Sequence, residues 1–315
     1  MKKQRIDTLL VDKGLCPSRQ QAQRLIRAGE VKIAQQIIDK PGTPVPIDAI
    51  IELKQKPPFV SRGGEKLAKA LKTFDIHPAD KICLDGGIST GGFTDCLLQA
   101  GAKQVYGIDV GYGQVAWKIR QDPRVILKER TNIRHLTPAD LYPTAHHNEQ
   151  AMATLGVMDV SFISLTKVLP AFWSLLTTPK EVVLLVKPQF EVGRDKIGKK
   201  GVVRDHKDQA GAILQVMQTA DSLGWHYQGL TWSETVGPAG NIEYLLWLTA
   251  STQPSPTETS KEINKTEDSQ TKASQTETSQ TENNKTEDNK TDNQEWPSLE
   301  EICALTQAAR QALTK

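Results

Sequence analysis

Asp85-Gly86-Gly87-Ile88-Ser89-Thr90-Gly91-Gly92-Phe93 is the stretch that decides how this chain reads. Ahead of it, Lys81-Ile82-Cys83-Leu84 has the apolar density of a short buried strand, and behind it Phe93 to Ala100 reads as the opening of a helix closed by Gly101. The order is strand, glycine-rich turn, helix. Glycine at such a turn lets the backbone approach a ligand, and the free amides of the first helical turn face the space above the sheet. One step outward, Val105-Tyr106-Gly107-Ile108-Asp109-Val110 is a second strand that ends in an acid, where a βαβ unit meets the diol of a ribose. Asp109 is the expected ribose contact.

The spacing excludes two common ligands. A dinucleotide turn needs Gly-x-Gly-x-x-Gly and a phosphate loop needs Lys after its last glycine, whereas Gly91 is followed by Gly92 and Phe93. An acid opening the turn, with another ending the next strand, resembles the S-adenosylmethionine-dependent methyltransferases. Further along, Val125 to Glu129, Val157 to Phe162 and Val182 to Pro188 are near-continuous apolar runs. A helical pattern over 209–223 follows, and Leu230-Thr231-Trp232 and Tyr244 to Leu248 read as closing strands. Apolar strands alternating with helices predict an α/β domain over residues 57–250: a Rossmann-like, doubly wound, mostly parallel sheet covered on both faces.

The region before this domain differs in charge. Residues 1–72 hold 15 Lys or Arg against 7 Asp or Glu, although the chain as a whole is only +2. Ile6, Leu9, Leu10 and Leu15 mark one apolar face, and Ser18 caps a second helix with Ala22, Leu25 and Ile26 inside, stopped by Gly29. Val31-Lys32-Ile33 and Ile50 to Leu53 then suggest a small β closure. The pattern Ser18-Arg19-x-x-Ala22-x-x-Leu25-Ile26-x-x-Gly29-x-Val31 resembles the S4 RNA-binding module, and predicts a small α+β domain over residues 1–56. The module usually continues with a Val-Asn-Gly turn, where this chain has Ile33-Ala34-Gln35-Gln36. Arg5, Arg19, Arg24, Arg27 and Lys32, with Arg62 at the start of the second domain, are the expected RNA contacts; such cations position a protein on phosphates without reading bases.

From Ser251 to Glu295 the composition collapses to polar residues, with 5 Lys against 10 Asp or Glu and short Ser-Gln-Thr and Asn-Lys-Thr repeats. Nothing in 251–295 can bury a core, so it is expected to be a disordered low-complexity tract. Residues 296–315 then form a helix with Leu299, Ile302, Leu305 and Ala309 on one side, expected to dock on the methyltransferase domain. Four Cys, at 16, 83, 96 and 303, make no Cys-x-x-Cys pair, so free thiols and no metal are expected. The start of the chain is too charged for a signal peptide and no run approaches a membrane span. A reducing cytoplasm, and no membrane partner, is the expected setting.

Three strand ends carry charge where a core belongs: Asp159, Lys187 and Glu243. Such groups are almost never buried alone, so they are expected to share a cleft at the carboxyl edge of the sheet with Lys66, near the start of a helix read from Glu65. Two cations and two anions suit methylation of a ribose 2'-hydroxyl, a weak acid whose proton must be removed or oriented. Apolar neighbours favour the neutral amine of Lys187, which would act as a base, and Asp159 favours the ammonium; the two effects oppose each other.

Ser61-Arg62-Gly63-Gly64-x-Lys66-Leu67, Asp85 to Asp95, Asp109 to Gln114, Glu129-Arg130-Thr131-Asn132-x-Arg134, Asp159 to Ser164 and Lys187-Pro188-Gln189-Phe190-Glu191 together resemble the TlyA, or haemolysin A, family. That resemblance implies an S4 domain ahead of an FtsJ-like domain that 2'-O-methylates cytidine in ribosomal RNA with S-adenosyl-L-methionine, acting on a ribosomal subunit. It also implies a catalytic tetrad of Lys66, Asp159, Lys187 and Glu243, and a cofactor site of Asp85, Gly87, Ser89, Gly91, Phe93, Asp109 and Asn132. The basic loop Arg194 to Lys207 fits a mobile clamp on RNA. Two rival classes are a membrane-active cytolysin, suggested by the family's historical name, and a catalytically silent assembly factor. The absence of an amphipathic basic helix opposes the first, and the intact tetrad opposes the second.

Overall fold

The computed structural model describes residues 2–54, 57–142, 152–251 and 294–313, so the low-complexity tract lies almost wholly outside the described residues. The chain divides into two units, Met1–Pro58 and Phe59–Lys315.

In the first unit the elements run β1 (Lys3–Arg5), α1 (Ile6–Asp12), α2 (Arg19–Arg27), β2 (Val31–Ile33), β3 (Gln36–Ile37), β4 (Pro44–Pro46) and β5 (Ile51–Leu53). Ser18 starts α2 by accepting from the Gln21 amide at 3.3 Å. The apolar stripes of the two helices close on Val31 and Val45, burying Ile6, Leu9, Leu10, Ala22 and Ile26. β2 pairs antiparallel with both β3 and β5, and β1 with β4. Between β2 and β3 the chain turns on Ala34 (φ 49°) and Gln35 (φ 67°). Both lie in the left-handed region that Asn-Gly enters at least cost. The unusual sequence therefore keeps the two-residue hairpin and bears the strain of two Cβ atoms there.

Among the described residues the second unit has seven strands: β6 (Ile82–Gly86), β7 (Gln104–Ile108), β8 (Val125–Lys128), β9 (Ala153–Met158), β10 (Leu176–Val186), β11 (His226–Trp232) and β12 (Tyr244–Ala250). Its helices are α3 (Arg62–Thr73), α4 (Gly92–Gln99), α5 (Trp117–Arg120), α6 (Pro138–Leu141), α7 (Leu169–Ser174), α8 (Pro188–Glu191), α9 (His206–Ser222) and α10 (Leu299–Leu313). The strands lie in the order β8-β7-β6-β9-β10-β12-β11. All neighbours from β8 to β10 are parallel, while β12 runs antiparallel to both β10 and β11. The winding reverses between β6 and β9, and a crevice opens there at the carboxyl ends of the strands.

Alternation along β10 shows why its sequence is apolar throughout. Val182, Leu184 and Val186 face a core with Phe172, Ile213, Val216 and Ile302, and Val183 and Leu185 face the opposite core with Leu67, Leu71 and Leu97. Helices cover both faces. α10 packs on α9 with Ile302, Thr306 and Ala309 buried, and Ser298 and Glu301 form a reciprocal cap at its start.

Several bounds differ from those the sequence suggests. α3 begins at Arg62, three residues before Glu65, because Gly63 and Gly64 lower helix propensity in the sequence yet are needed in space: a Cβ on Gly64 would overlap the ring of Phe59. The run from Val157 is a strand only to Met158, having begun at Ala153, so Asp159 to Phe162 form the loop beyond it. Asp205 caps α9 by accepting from the Lys207 amide at 2.8 Å, starting that helix at His206 rather than at Gln209. Among the described residues no helix is long and apolar enough to cross a membrane.

Candidate active site

The turn after β6 is shaped by what it must approach. Gly87 has φ +87°, and a Cβ there would stand 2.8 Å from the carbonyl oxygen of Asp159. Gly92 abuts Ser61 and the Gly64 amide so closely that a side chain would collide with both, which lets the starts of α3 and α4 meet. At the end of β7, Asp109 accepts from the amides of Ser89 (2.8 Å) and Gly111 (2.7 Å). Two backbone donors lock this carboxylate in a cleft of about 480 Å³ whose lining includes Gly87, Ser89, Val110, Asn132 and Ile133. An acid fixed between apolar walls suits a nucleoside: diol on the carboxylate, base between the side chains.

A second cavity of about 280 Å³ shares Gly87, Ser89, Asp159 and Ser161 with the first, and adds Lys66, Lys187, Glu243, Arg62 and Phe93. Lys187 Nζ lies 2.6 Å from Asp159 Oδ1 and donates to Ser161 Oγ at 2.8 Å. Lys66 pairs with Glu243. Burial is deep: Lys187 is 9% exposed and Glu243 2%. The four charged side chains read from the sequence thus meet as two lysine–carboxylate pairs in one cavity. Loss of Lys66 would leave the buried Glu243 carboxylate uncompensated, so that pair is costly to disturb. Ser161 was not legible as part of the site, since a Ser in a loop carries no signal until Lys187 is seen to reach it.

Two expected cofactor residues sit elsewhere. Asp85 is wholly buried beneath the turn and lines neither cavity; its Oδ2 accepts from the Thr94 hydroxyl at 2.6 Å. Burial, reinforced by the nearby acids Asp159 and Asp109 and opposed by the Thr94 hydrogen bond, pushes this carboxyl up to about 7. A carboxyl raised on folding keeps its proton where the unfolded chain, with a value of about 4, has lost it. Stability therefore falls as pH rises from about 4 to about 7, and levels off above. Thermal melting at pH 5 and pH 8 will show a clear drop in the wild type and a smaller one in Asp85→Asn; equal drops would contradict this account. Gly91 lines neither cavity and instead packs on Ile119.

In the first unit, Arg24 and Arg27 line a groove of about 540 Å³ along α2 with Ser18, Gln21 and Gln23, and Lys32 is half-buried on β2. Arg5 and Arg19 are not free to swing. Asp7, fully buried, accepts from Arg5 Nε and Nη2 (3.1 and 3.0 Å), Arg19 Nε (2.9 Å) and Gln23 Nε2 (3.0 Å). The sequence offered one sign of this, an acid set inside the apolar stripe of α1. All four cysteines are free thiols, and no cluster of metal-ligating side chains occurs among the described residues.

A doubly wound sheet with one reversed strand, opening at its switch point onto a nucleoside-sized cleft joined to a charged cavity, defines a methyltransferase of the Rossmann type. The profile of the FtsJ-like methyltransferases matches residues 59–250, and that of the S4 domain residues 4–51. YqxC of Bacillus subtilis (strain 168) is 48% identical over 248 residues, which cover 78% of this chain and 86% of YqxC. The 16S/23S rRNA (cytidine-2'-O)-methyltransferase TlyA of Mycobacterium tuberculosis (strain ATCC 25618 / H37Rv) is 46% identical over 250 residues, 79% of this chain and 90% of that protein. Among solved structures, a protein described as a hemolysin from Streptococcus thermophilus is 42% identical with a TM-score of 0.59, covering 81% of this chain and 90% of its own. The chain belongs to the TlyA family of S4-bearing, FtsJ-like rRNA methyltransferases.

Proposed function

We propose that this chain transfers a methyl group from S-adenosyl-L-methionine to the 2'-oxygen of a cytidine in ribosomal RNA. The observation that carries the reading is the meeting of Lys66, Asp159, Lys187 and Glu243 in a cavity continuous with the nucleoside cleft. The name of the M. tuberculosis relative supplies the acceptor, cytidine in 16S and 23S rRNA.

The cleft fits the cofactor by its own chemistry. Asp109, its carboxylate fixed by two amides, would take the ribose hydroxyls, Asn132 the polar edge of the adenine, and Val110 and Ile133 its faces. When bound, S-adenosylmethionine supplies an electrophilic methyl group on a sulfonium centre. The protein's task is to present the ribose oxygen and dispose of its proton. Lys187 Nζ donates to Ser161 and forms an ion pair with Asp159 Oδ1, and an ammonium has three donors. Its third N–H is available to the 2'-oxygen, orienting a lone pair of that oxygen for attack. Nζ passes one proton to Asp159 Oδ1, 2.6 Å away, and the lone pair so freed takes up the hydroxyl proton as it leaves, which restores the ammonium. Lys66, held by Glu243, and Arg62 hold the ribose and its flanking phosphate.

RNA and a soluble cofactor as substrates point to a cytoplasmic setting, with ribosomal subunits as partner. Purified protein incubated with methyl-labelled cofactor and unmodified ribosomal subunits is expected to label rRNA and leave tRNA and ribosomal proteins unlabelled. Label confined to protein, or to tRNA, would overturn the reading.

A further inference from the structure

Residues 194–207 carry six Lys or Arg against two Asp. A charge run of this kind is ordinarily a solvated loop. Here the backbone is gripped from three directions. The Asn241 side chain, 2% exposed, accepts from the Val203 amide (2.9 Å) and donates to the Gly201 carbonyl (2.8 Å). Gln209, equally buried, donates to the Val203 carbonyl (2.7 Å) while accepting from the Tyr244 hydroxyl (2.6 Å). From α10, Arg310 donates to the Arg204 carbonyl (3.0 Å) and Thr306 to that of His206 (2.9 Å). The chain from Gly201 to His206 is therefore tied down, and Lys199 and Lys200 sit on the turn that Gly198 closes onto Val202. Lys196 is drawn to Asp208 at 2.9 Å, whereas Lys199, Lys200 and Arg204 are exposed.

The grip also links this segment to the reaction. Asn241 stands two residues ahead of Glu243, and Pro238 of the same loop lines the catalytic cavity. We infer that residues 198–205 are a pre-ordered arm for the sugar-phosphate backbone of RNA flanking the target nucleotide, with α10 as its buttress. The inference deepens the proposed reaction and rests on it. Fixing the backbone beforehand lowers the ordering cost of binding, and each phosphate met by a lysine releases counterions. Arg310 and Thr306 are positioning residues in this scheme, acting through the carbonyls they hold.

Binding of rRNA from purified ribosomal subunits, measured by filter retention across a salt series, separates the arm from catalysis. Lys199→Glu with Lys200→Glu should weaken binding roughly tenfold near 0.1 M salt and reduce the salt slope by about 1.4, two contacts at about 0.7 each. Arg310→Ala and Thr306→Val should raise the KM for rRNA by about threefold to tenfold with kcat and cofactor affinity near wild type, and Arg310→Lys should restore most of it. Wild-type affinity and slope in the double lysine variant would overturn the arm. Lower thermal stability with unchanged KM in the α10 variants would reduce that helix to a structural role and overturn the buttress. Absence of methyl transfer by the wild type would instead count against the proposed reaction, and the filter measurement would still decide the arm.

Discussion

Lys187→Met is expected to abolish methyl transfer while cofactor and RNA remain bound. Methionine matches the length of the lysine stem, so the walls of the cavity are kept and only the ammonium is lost. Asp159, whose side chain is 24% exposed, can turn to water and does not force the site open. What disappears is the donor that holds the 2'-oxygen and the relay that passes its proton to Asp159. Positioned proton transfer of this type contributes about 10²- to 10⁴-fold, and a loss of that size in single-turnover rate is predicted. Cofactor affinity should stay near wild type, because Lys187 lines the charged cavity and not the nucleoside cleft. Lys187→Arg should also be slow, since the planar fork cannot place one donor on Ser161, one on Asp159 and a third on the substrate. A Lys187→Met enzyme within threefold of wild type would remove this residue from the reaction.

The second large effect is expected in the first unit. Asp7→Asn keeps the shape of the side chain but removes the charge on which the Arg5, Arg19 and Gln23 donors converge. The Arg5 guanidinium, with help from Gln23 and Arg19, holds this carboxyl well below the usual carboxylate range against the opposing effect of burial. A carboxyl depressed on folding contributes stability above its unfolded value of about 4, and that contribution is lost as pH falls below it. At neutral pH the substitution should cost the first unit about 2 kcal/mol, the scale of a charge-assisted hydrogen bond left unmade in a buried place. Amide hydrogen exchange in α1 and α2 of the full-length chain would report it as faster opening at pH 7, with the difference from wild type shrinking toward pH 3. The same substitution frees Arg5 and Arg19 to move, so rRNA binding should weaken as well. Unchanged exchange in both helices would show that Asp7 does not organise this unit.

How much of this was legible depended on whether a residue's role was local. β10 could be read because each face meets a core, which makes the run from Val182 to Val186 apolar at every position. Lys187, Asp159 and Glu243 stood out because charge at the end of such a strand needs a partner. Their pairing, Lys187 with Asp159 and Lys66 with Glu243, joins residues far apart in the chain, and four charges of two signs admit more than one match. The reversed direction of β12 left no mark in its composition, because a strand buried on both faces is apolar whichever way it runs. Asp85 is the instructive case. An acid opening a glycine turn reads the same whether it faces a ligand or packs beneath the turn; here it is buried beneath the turn with Oδ2 on the Thr94 hydroxyl inside α4. The basic segment from Arg194 read as a mobile clamp because its restraints come from Asn241, Gln209 and a helix beyond residue 298. None of these lies within the segment itself.

The nature of the acceptor atom separates a ribose methyltransferase from a base methyltransferase. Digesting the labelled rRNA to nucleosides after reaction with purified protein and separating the methylated products gives that atom directly. The arrangement of Lys187, Asp159, Lys66 and Glu243 predicts 2'-O-methylcytidine. Label recovered instead as a base-methylated nucleoside, with none on the ribose, would contradict it.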